Sequence, residues 1–232
     1  ATLISPSRTT VTTSGMGTPS LEIILQELVA LNEIDLATRT PKTDLAELHI
    51  IRVGTSGGLQ SDTKLGTPII TSYSIGTDNS GLFYDAPYPD EHCKRLEEEL
   101  HNLITSKMDP GARFYSKIHP YVTRADPKIV SALQEAAKTL GVPSKVGLTV
   151  SCGGFFSAQG RNIARVQPSI LDIDQVFAQF DPGLGGQKIE NMEMEASFLN
   201  HLFGGLGYAS GAICTAIANR QDNTFDSQYT ES

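Results

Sequence analysis

Phe155–Arg161 reads FFSAQGR: two aromatics, then a Gln and an Arg two positions apart. A Gln side chain brings one acceptor and two donors, an Arg side chain only donors. Together they suit a flat ring whose rim shows carbonyl, N–H, carbonyl, as uracil does. Gln159 can accept from the ring N–H and donate to a carbonyl, Arg161 can donate to a carbonyl, and Phe155 can stack on the ring face. A purine edge would suit Asp or Asn better. A solvated surface Gln/Arg pair reads the same way, so this stretch alone leaves both open.

Two further stretches carry groups suited to the rest of such a ligand. RVGTSGG, residues 52–58, combines the planar cation of Arg52, the hydroxyls of Thr55 and Ser56, and glycines including Gly54 and Gly57. Glycines let an anion approach backbone N–H groups closely, and a guanidinium fits phosphate. No Gly-Lys-Ser/Thr follows, so this is not a Walker loop, and the spacing fails the GxGxxG pattern. A ligand-free Gly-rich turn between strand and helix is the alternative. In MEMEAS, residues 192–197, Glu193 and Glu195 lie two apart. On a helix they point roughly 200° from each other. A carboxylate at a helix start can simply complement the helix dipole; a functional carboxylate here would accept from two vicinal hydroxyls, which a ribose presents.

The elements that position these groups alternate. Thr9–Thr13 is β-rich and leads through Ser14–Gly17 into a helix with Leu21, Ile24, Leu25, Leu28 and Leu31 at helical spacing and Ser20 as N-cap. Residues 33–46 read as a polar loop. His49–Val53 and the stretch from Gly66 to Ile75 read as strands. Helices are expected at about 90–106 and about 127–140, the second with Pro127 in its first turn and Gly141 at its stop. Lys145–Ser151 is a strand, residues 162–188 are irregular, a helix includes Glu193–Phe203, and Gly211–Asn219 is the last strand. This alternation predicts an α/β fold in one domain over residues 1–232, without repeats or linkers. Ser14–Gly17, Gly54–Gly58, Gly153–Arg161 and Asn219–Asn223 each follow the carboxyl end of a strand. Ligands collect there in α/β sheets, so the four segments predict one composite site.

Composition narrows the chemistry. The chain has 232 residues, 39% of them hydrophobic, enough for one sizeable core. Its formal net charge of -8 argues against a nucleic-acid partner but leaves room for a small phosphate. No apolar run is long enough to cross a membrane, and no signal peptide is visible. Cys93, Cys152 and Cys214 show neither CxxC spacing nor a nearby His cluster, and read as reduced, buried or semi-buried thiols of a cytoplasmic protein.

In their order along the chain, SGMGTPS, RVGTSGG, GGFFSAQGR, NMEMEAS and AIANR resemble the nucleoside phosphorylases of the hexameric, trimer-of-dimers type and their dimeric relatives, above all the uridine-cleaving members. The likeness runs from about Thr9 to about Asn223, and Phe-x-x-x-Gln-x-Arg is its specific part. It implies a three-layer αβα sandwich around a twisted mixed sheet. It also implies reversible phosphorolysis of uridine, or deoxyuridine, to uracil and ribose 1-phosphate in pyrimidine salvage, with inorganic phosphate as co-substrate and no metal or other cofactor. On this resemblance Arg52, Gly54 and Thr55 hold phosphate, while Met194 and Glu195 hold the ribose with Glu193 in support. Phe155, Gln159 and Arg161 hold the base, Ser56, Gly57, Ile217 and Ala218 line its pocket, and Arg220 braces the Gln and Arg segment. Arg161, Gln159, Thr55 and Glu195 form the catalytic set. A purine-cleaving or broad-specificity phosphorylase, a nucleosidase and a catalytically impaired nucleoside-binding relative are the alternatives. A homodimer or a trimer of dimers is implied, because sites in the family borrow residues across an interface. Against the family pattern, the chain starts after the place of a first strand and a Gly-Asp-Pro-x-Arg phosphate loop, and stops before a last helix. Ala196 stands where Ser is common, and the loop at about 33–46 is longer.

Overall fold

Pro68–Gly76 is the organising strand of the computed structural model, which describes residues 3–4 and 9–227. Its run of apolar and hydroxyl side chains is buried after the first residue, as suits a strand covered on both faces. It pairs in parallel with Lys145–Ser151 and antiparallel with Tyr121–Arg124. The seven-stranded mixed sheet runs Thr224–Phe225, Ala209–Asn219, His49–Gly58, Ile189–Glu193, Lys145–Ser151, Pro68–Gly76, Tyr121–Arg124. Ile213–Thr215 also pair antiparallel with Pro68–Ile70, so the sheet curls until Ala209–Asn219 meets it a second time. That closure was not legible in the sequence; the layered α/β architecture was expected.

Helices cover the sheet in two separate apolar clusters. Glu91–Ser106 buries Cys93, Leu96, Leu100 and Ile104 along one stripe, packed with Ile75, Leu148, Val150 and Phe177. Its charged residues face outward, and Asp90 caps its start by accepting from Cys93 N–H at 2.9 Å. In the second cluster, Phe198, Leu199, Leu202 and Phe203 of Ala196–Leu206 meet Leu21 and Leu25 of Thr18–Glu33. Pro127–Thr139 starts and stops as expected, with Asp126 capping its first turn and Gly141 at φ +67 just beyond its end.

Several boundaries differ from the sequence expectation. The first long helix starts at Thr18, with Pro19 in its first turn and Gly17 as the capping position, not Ser20. Thr10–Val11 pairs only with Leu3–Ile4, outside the main sheet. The 33–46 segment holds a small hairpin, Ile34–Asp35 against Thr40–Pro41, and 162–188 holds the helix Ile173–Gln179. His49–Gly58 is one continuous strand, so RVGTSGG is strand and not a turn. Ile189–Glu193, Tyr121–Arg124 and Thr224–Phe225 are strands with no clear signal of their own; the first two owe their form to pairing with distant partners.

Candidate functional site

Arg52 lies between two carboxylates. Its Nη1 is 3.1 Å from Glu193 Oε2 and donates to Cys214 Sγ at 2.8 Å, while Nη2 donates to Glu195 Oε2. The helical reading of Glu193 and Glu195 is corrected. Glu193 ends the strand Ile189–Glu193, and Glu195 is the capping position of the helix Ala196–Leu206, with φ -143° and ψ -27°. The bend that follows the strand brings both carboxylates to the same guanidinium. Glu193 is spent within the protein: Oε1 accepts from the Ser151 hydroxyl and Ala196 N–H, and Oε2 accepts from Glu195 N–H at 2.9 Å. It thereby caps the helix start and holds Glu195 in place. Glu195 Oε1 accepts from Gly17 N–H at 2.5 Å, which ties the Ser14–Gly17 turn to the site.

Charge follows from this packing. Burial opposes the Arg52 charge, but Glu193, Cys214 and Glu195 hold its pKa above the ordinary value. Burial raises the pKa of Glu195; Arg52 opposes that and Glu193 reinforces it. Burial pushes the Cys152 and Cys214 thiols up to about 12 and raises Cys93 as well. All three are free and buried, and Cys214 Sγ accepts from Arg52.

The glycines of RVGTSGG make room for cations. A Cβ at Gly54 would fall 2.5 Å from Arg52 Nη1, and a Cβ at Gly57 would fall 2.8 Å from Arg220 Nε. Two guanidiniums therefore lie flat against one strand where any side chain would push them away. Arg52 Nε and Arg220 Nε are left without a partner among the described residues.

The second centre is Gln159, buried at the end of the short turn Ser157–Gln159. Its Oε1 accepts from Arg161 Nη1 at 3.0 Å and Arg220 Nη2 at 2.7 Å, and Arg220 Nη1 donates to its backbone carbonyl at 3.1 Å. Arg161 also donates to Phe155 O at 2.5 Å, and its Cζ lies 4.0 Å from the centroid of the Phe155 ring. An oxygen that meets two guanidiniums fixes the amide orientation, so Nε2 is the group free to donate. Ser56, whose Oγ accepts from Asn191 Nδ2 at 2.9 Å, stands at the end of a buried chain through Thr149 to Thr71.

Both centres line one cavity of about 380 Å³. Arg52, Gly54, Thr55, Ser56, Gly57, Phe155, Gln159, Arg161, Glu193, Met194, Glu195, Ile217 and Ala218 all face it. Of the expected residues, Arg220 alone does not line it and acts through Gln159. Ser14, Gly15 and Met16 of the expected Ser14–Gly17 segment also line it, while sequence reading missed the contributions of Val53, Met192 and Phe225 to the walls. Phe225 arrives because Thr224–Phe225 folds back on Ala218–Asn219, a hairpin marked only by its Asp222–Asn223 turn.

Among the described residues no group of three or more His, Cys, Asp or Glu side chains could hold a metal ion, and no helix is long and apolar enough to cross a membrane.

A family model described as the phosphorylase superfamily matches residues 4–231. The chain is 29% identical over 216 residues to a uridine phosphorylase from Thermococcus kodakarensis, which covers 93% of this chain and 59% of that protein. It is 24% identical over 210 residues to a uridine phosphorylase from Escherichia coli, covering 90% of this chain and 63% of that one. A DeoD-type purine nucleoside phosphorylase from Tolumonas auensis is 25% identical over 229 residues, covering 94% of this chain and 71% of that protein. The chain thus spans about three fifths of the Thermococcus and Escherichia relatives. In fold it is similar to the crystal structure of a Trypanosoma brucei nucleoside phosphorylase described as showing uridine phosphorylase activity, with a TM-score of 0.79 at 24% identity over 93% of this chain and 73% of that one.

Proposed function

Because the chain belongs to the phosphorylase superfamily, we propose that the protein carrying it cleaves uridine with inorganic phosphate, reversibly, to uracil and ribose 1-phosphate, as a cytoplasmic salvage enzyme. One observation carries this reading: a single cavity joins the Arg52–Glu195 centre to the Gln159–Arg161 centre, which the chain supplies from distant segments. A phosphate oxygen bonds to the anomeric carbon, the glycosidic C–N bond breaks, and its electron pair leaves on the base. Arg52 and Thr55 hold the phosphate, and Glu195 accepts from the ribose hydroxyls. Arg161 and Gln159 Nε2 donate to the uracil carbonyls as negative charge arrives there. Fixed donors aimed at developing charge are the kind of group whose removal costs about 10²–10³ in rate.

The amide orientation adds a step. Both lone pairs of Gln159 Oε1 accept from arginines. Uracil binding exchanges one of them: Arg161 moves to a base carbonyl, and the base N–H takes its place on Oε1. Oε1 keeps two donors and Arg161 keeps an acceptor, so neither group is left unsatisfied in the complex. The protein acts as a homodimer or trimer of dimers; the exposed apolar pair Ile51 and Val53, on the strand that carries Thr55, supports a face covered by another subunit.

The test is release of free base by the full-length protein from uridine, deoxyuridine, thymidine, inosine and adenosine, each with and without phosphate. Phosphate-dependent uracil release is expected, and Gln159→Ala and Arg161→Ala should each lower kcat/KM for uridine about 10²-fold. Purine release alone, cleavage that ignores phosphate, or unchanged turnover in both variants would overturn this reading.

A further inference from the structure

Two like charges meet on one neutral atom at the base end. Arg161 and Arg220 both donate to Gln159 Oε1, and among the described residues neither forms an ion pair. Such a pair needs an anion near it to stay together. Asp174, in the first turn of Ile173–Gln179, is placed to be that anion. Its carboxylate rests against Gly160, the residue between Gln159 and Arg161: a Cβ there would fall 2.2 Å from Asp174 Oδ1 and 2.8 Å from Cγ. Gly160 has φ +78, so the turn needs glycine for its backbone as well as for this approach. The carboxylate is not otherwise spent, since its one side-chain partner is Gln175 Nε2 at a long 3.4 Å.

We propose that Asp174 is the counter-ion that keeps Arg161 and Arg220 together on Gln159, and is therefore a positioning residue for recognition of the base. The electrostatics agree. Burial and the neighbouring Arg220 lower the pKa of Arg161 to about 10, and Asp174 opposes both. Burial also lowers that of Arg220, again with Asp174 in opposition. Asp174 does not itself line the cavity, so it acts through the arginines. Its kinetic consequence rests on the uridine reading above; its structural consequence does not.

Asp174→Asn removes the charge and keeps the shape. Two measurements on the full-length protein separate the claims. The first is the Nε–Hε NMR signals of Arg161 and Arg220, assigned with Arg161→Lys and Arg220→Lys. Sharp signals in the parent that broaden in Asp174→Asn are expected, and Asp174→Glu should restore them; unchanged signals overturn the proposal whatever the substrate. The second is kinetic: KM for uridine should rise about tenfold, KM for phosphate should stay within twofold, and Asp174→Asn with Arg220→Gln should cost less than the two changes summed. Equal losses for uridine and phosphate, or additive costs, assign Asp174 a merely structural role and overturn it. A parent that leaves uridine intact while its arginine signals still depend on Asp174 refutes the uridine reading alone.

Discussion

The two ends of the cavity balance charge in opposite ways. At one end a single guanidinium, Arg52, sits between two carboxylates that are almost fully buried. At the other, two guanidiniums converge on a neutral amide with their counter-charge held further off. The first end is built where strands stop, and every oxygen of Glu193 and Glu195 already has a protein donor. The second is built on a three-residue turn beside half-exposed aromatics. Under the proposed reaction, negative charge enters at the first end and leaves toward the second, which would put the net positive end where the departing base gains charge. The first end is formally -1 over Arg52, Glu193 and Glu195, which makes it a poor home for phosphate unless further cations join it.

Arg52→Met is the change that breaks this contrast hardest. It should lower kcat/KM for phosphate-dependent cleavage by about 10³, the upper end for a fixed electrostatic group. It should also cost about 3–5 kcal/mol of stability, because it leaves buried Glu193 and Glu195 facing each other uncompensated. Arg161→Met, from the looser end, should lose activity with little change in stability. Denaturant unfolding of both variants checks this. If Arg52→Met unfolds no earlier than Arg161→Met, the two ends do not differ as described.

The pH dependence sharpens the same contrast. Glu195 has a pKa raised from 4.5 in the folded protein, mainly by burial. A raised carboxylate pKa favours folding below its unfolded value and costs stability as pH rises through the folded value. Acid therefore protonates Glu195 without unfolding the protein through it, and removes its ability to accept from both ribose hydroxyls at full strength. The acid limb of kcat/KM for uridine should lie above pH 4.5 while circular dichroism still reports folded protein. Arg52 lowers the Glu195 pKa, so Arg52→Lys, which keeps a charge but loses the fork, should move that limb to higher pH. A limb at or below 4.5, or one that follows unfolding, would remove Glu195 from this role.

What the sequence revealed follows from range. Gln159 and Arg161 are two apart in one turn, so their joint use was legible locally, as was Arg52 beside Thr55. The helices Glu91–Ser106 and Pro127–Thr139 were legible from their local patterning, the second also from Pro127 and Gly141 at its ends. Glu193 was not legible as a strand end, because its extended backbone depends on pairing with Ser151, which lies far away in the chain. The strand character of Gly54–Gly58 was hidden for a related reason. Glycines normally weaken strands, and the guanidiniums that require them here come from Arg52 and the distant Arg220. Asp174 carried no signal at all, since only the fold brings its helix to Gly160.

The smallest expected effect lies away from both ends and tests whether the contrast is local. Asp126 accepts from Lys128 N–H at 2.7 Å and Ile129 N–H at 3.3 Å, capping Pro127–Thr139, and its own N–H donates to Ser210 O at 2.8 Å. Asp126→Ala leaves that last bond in place and removes only the cap. Loss of such a cap costs about 1 kcal/mol, which in a domain of this size lowers Tm by about 2–4 °C. Neither KM should move, because Pro127–Thr139 contributes no residue to the cavity wall. A Tm shift in this range with kinetics intact shows that general loosening of the fold does not imitate the losses expected at Arg52 and Arg161. A parallel fall in kcat/KM would mean that activity tracks stability everywhere, and the separate behaviour of the two ends would have to be given up.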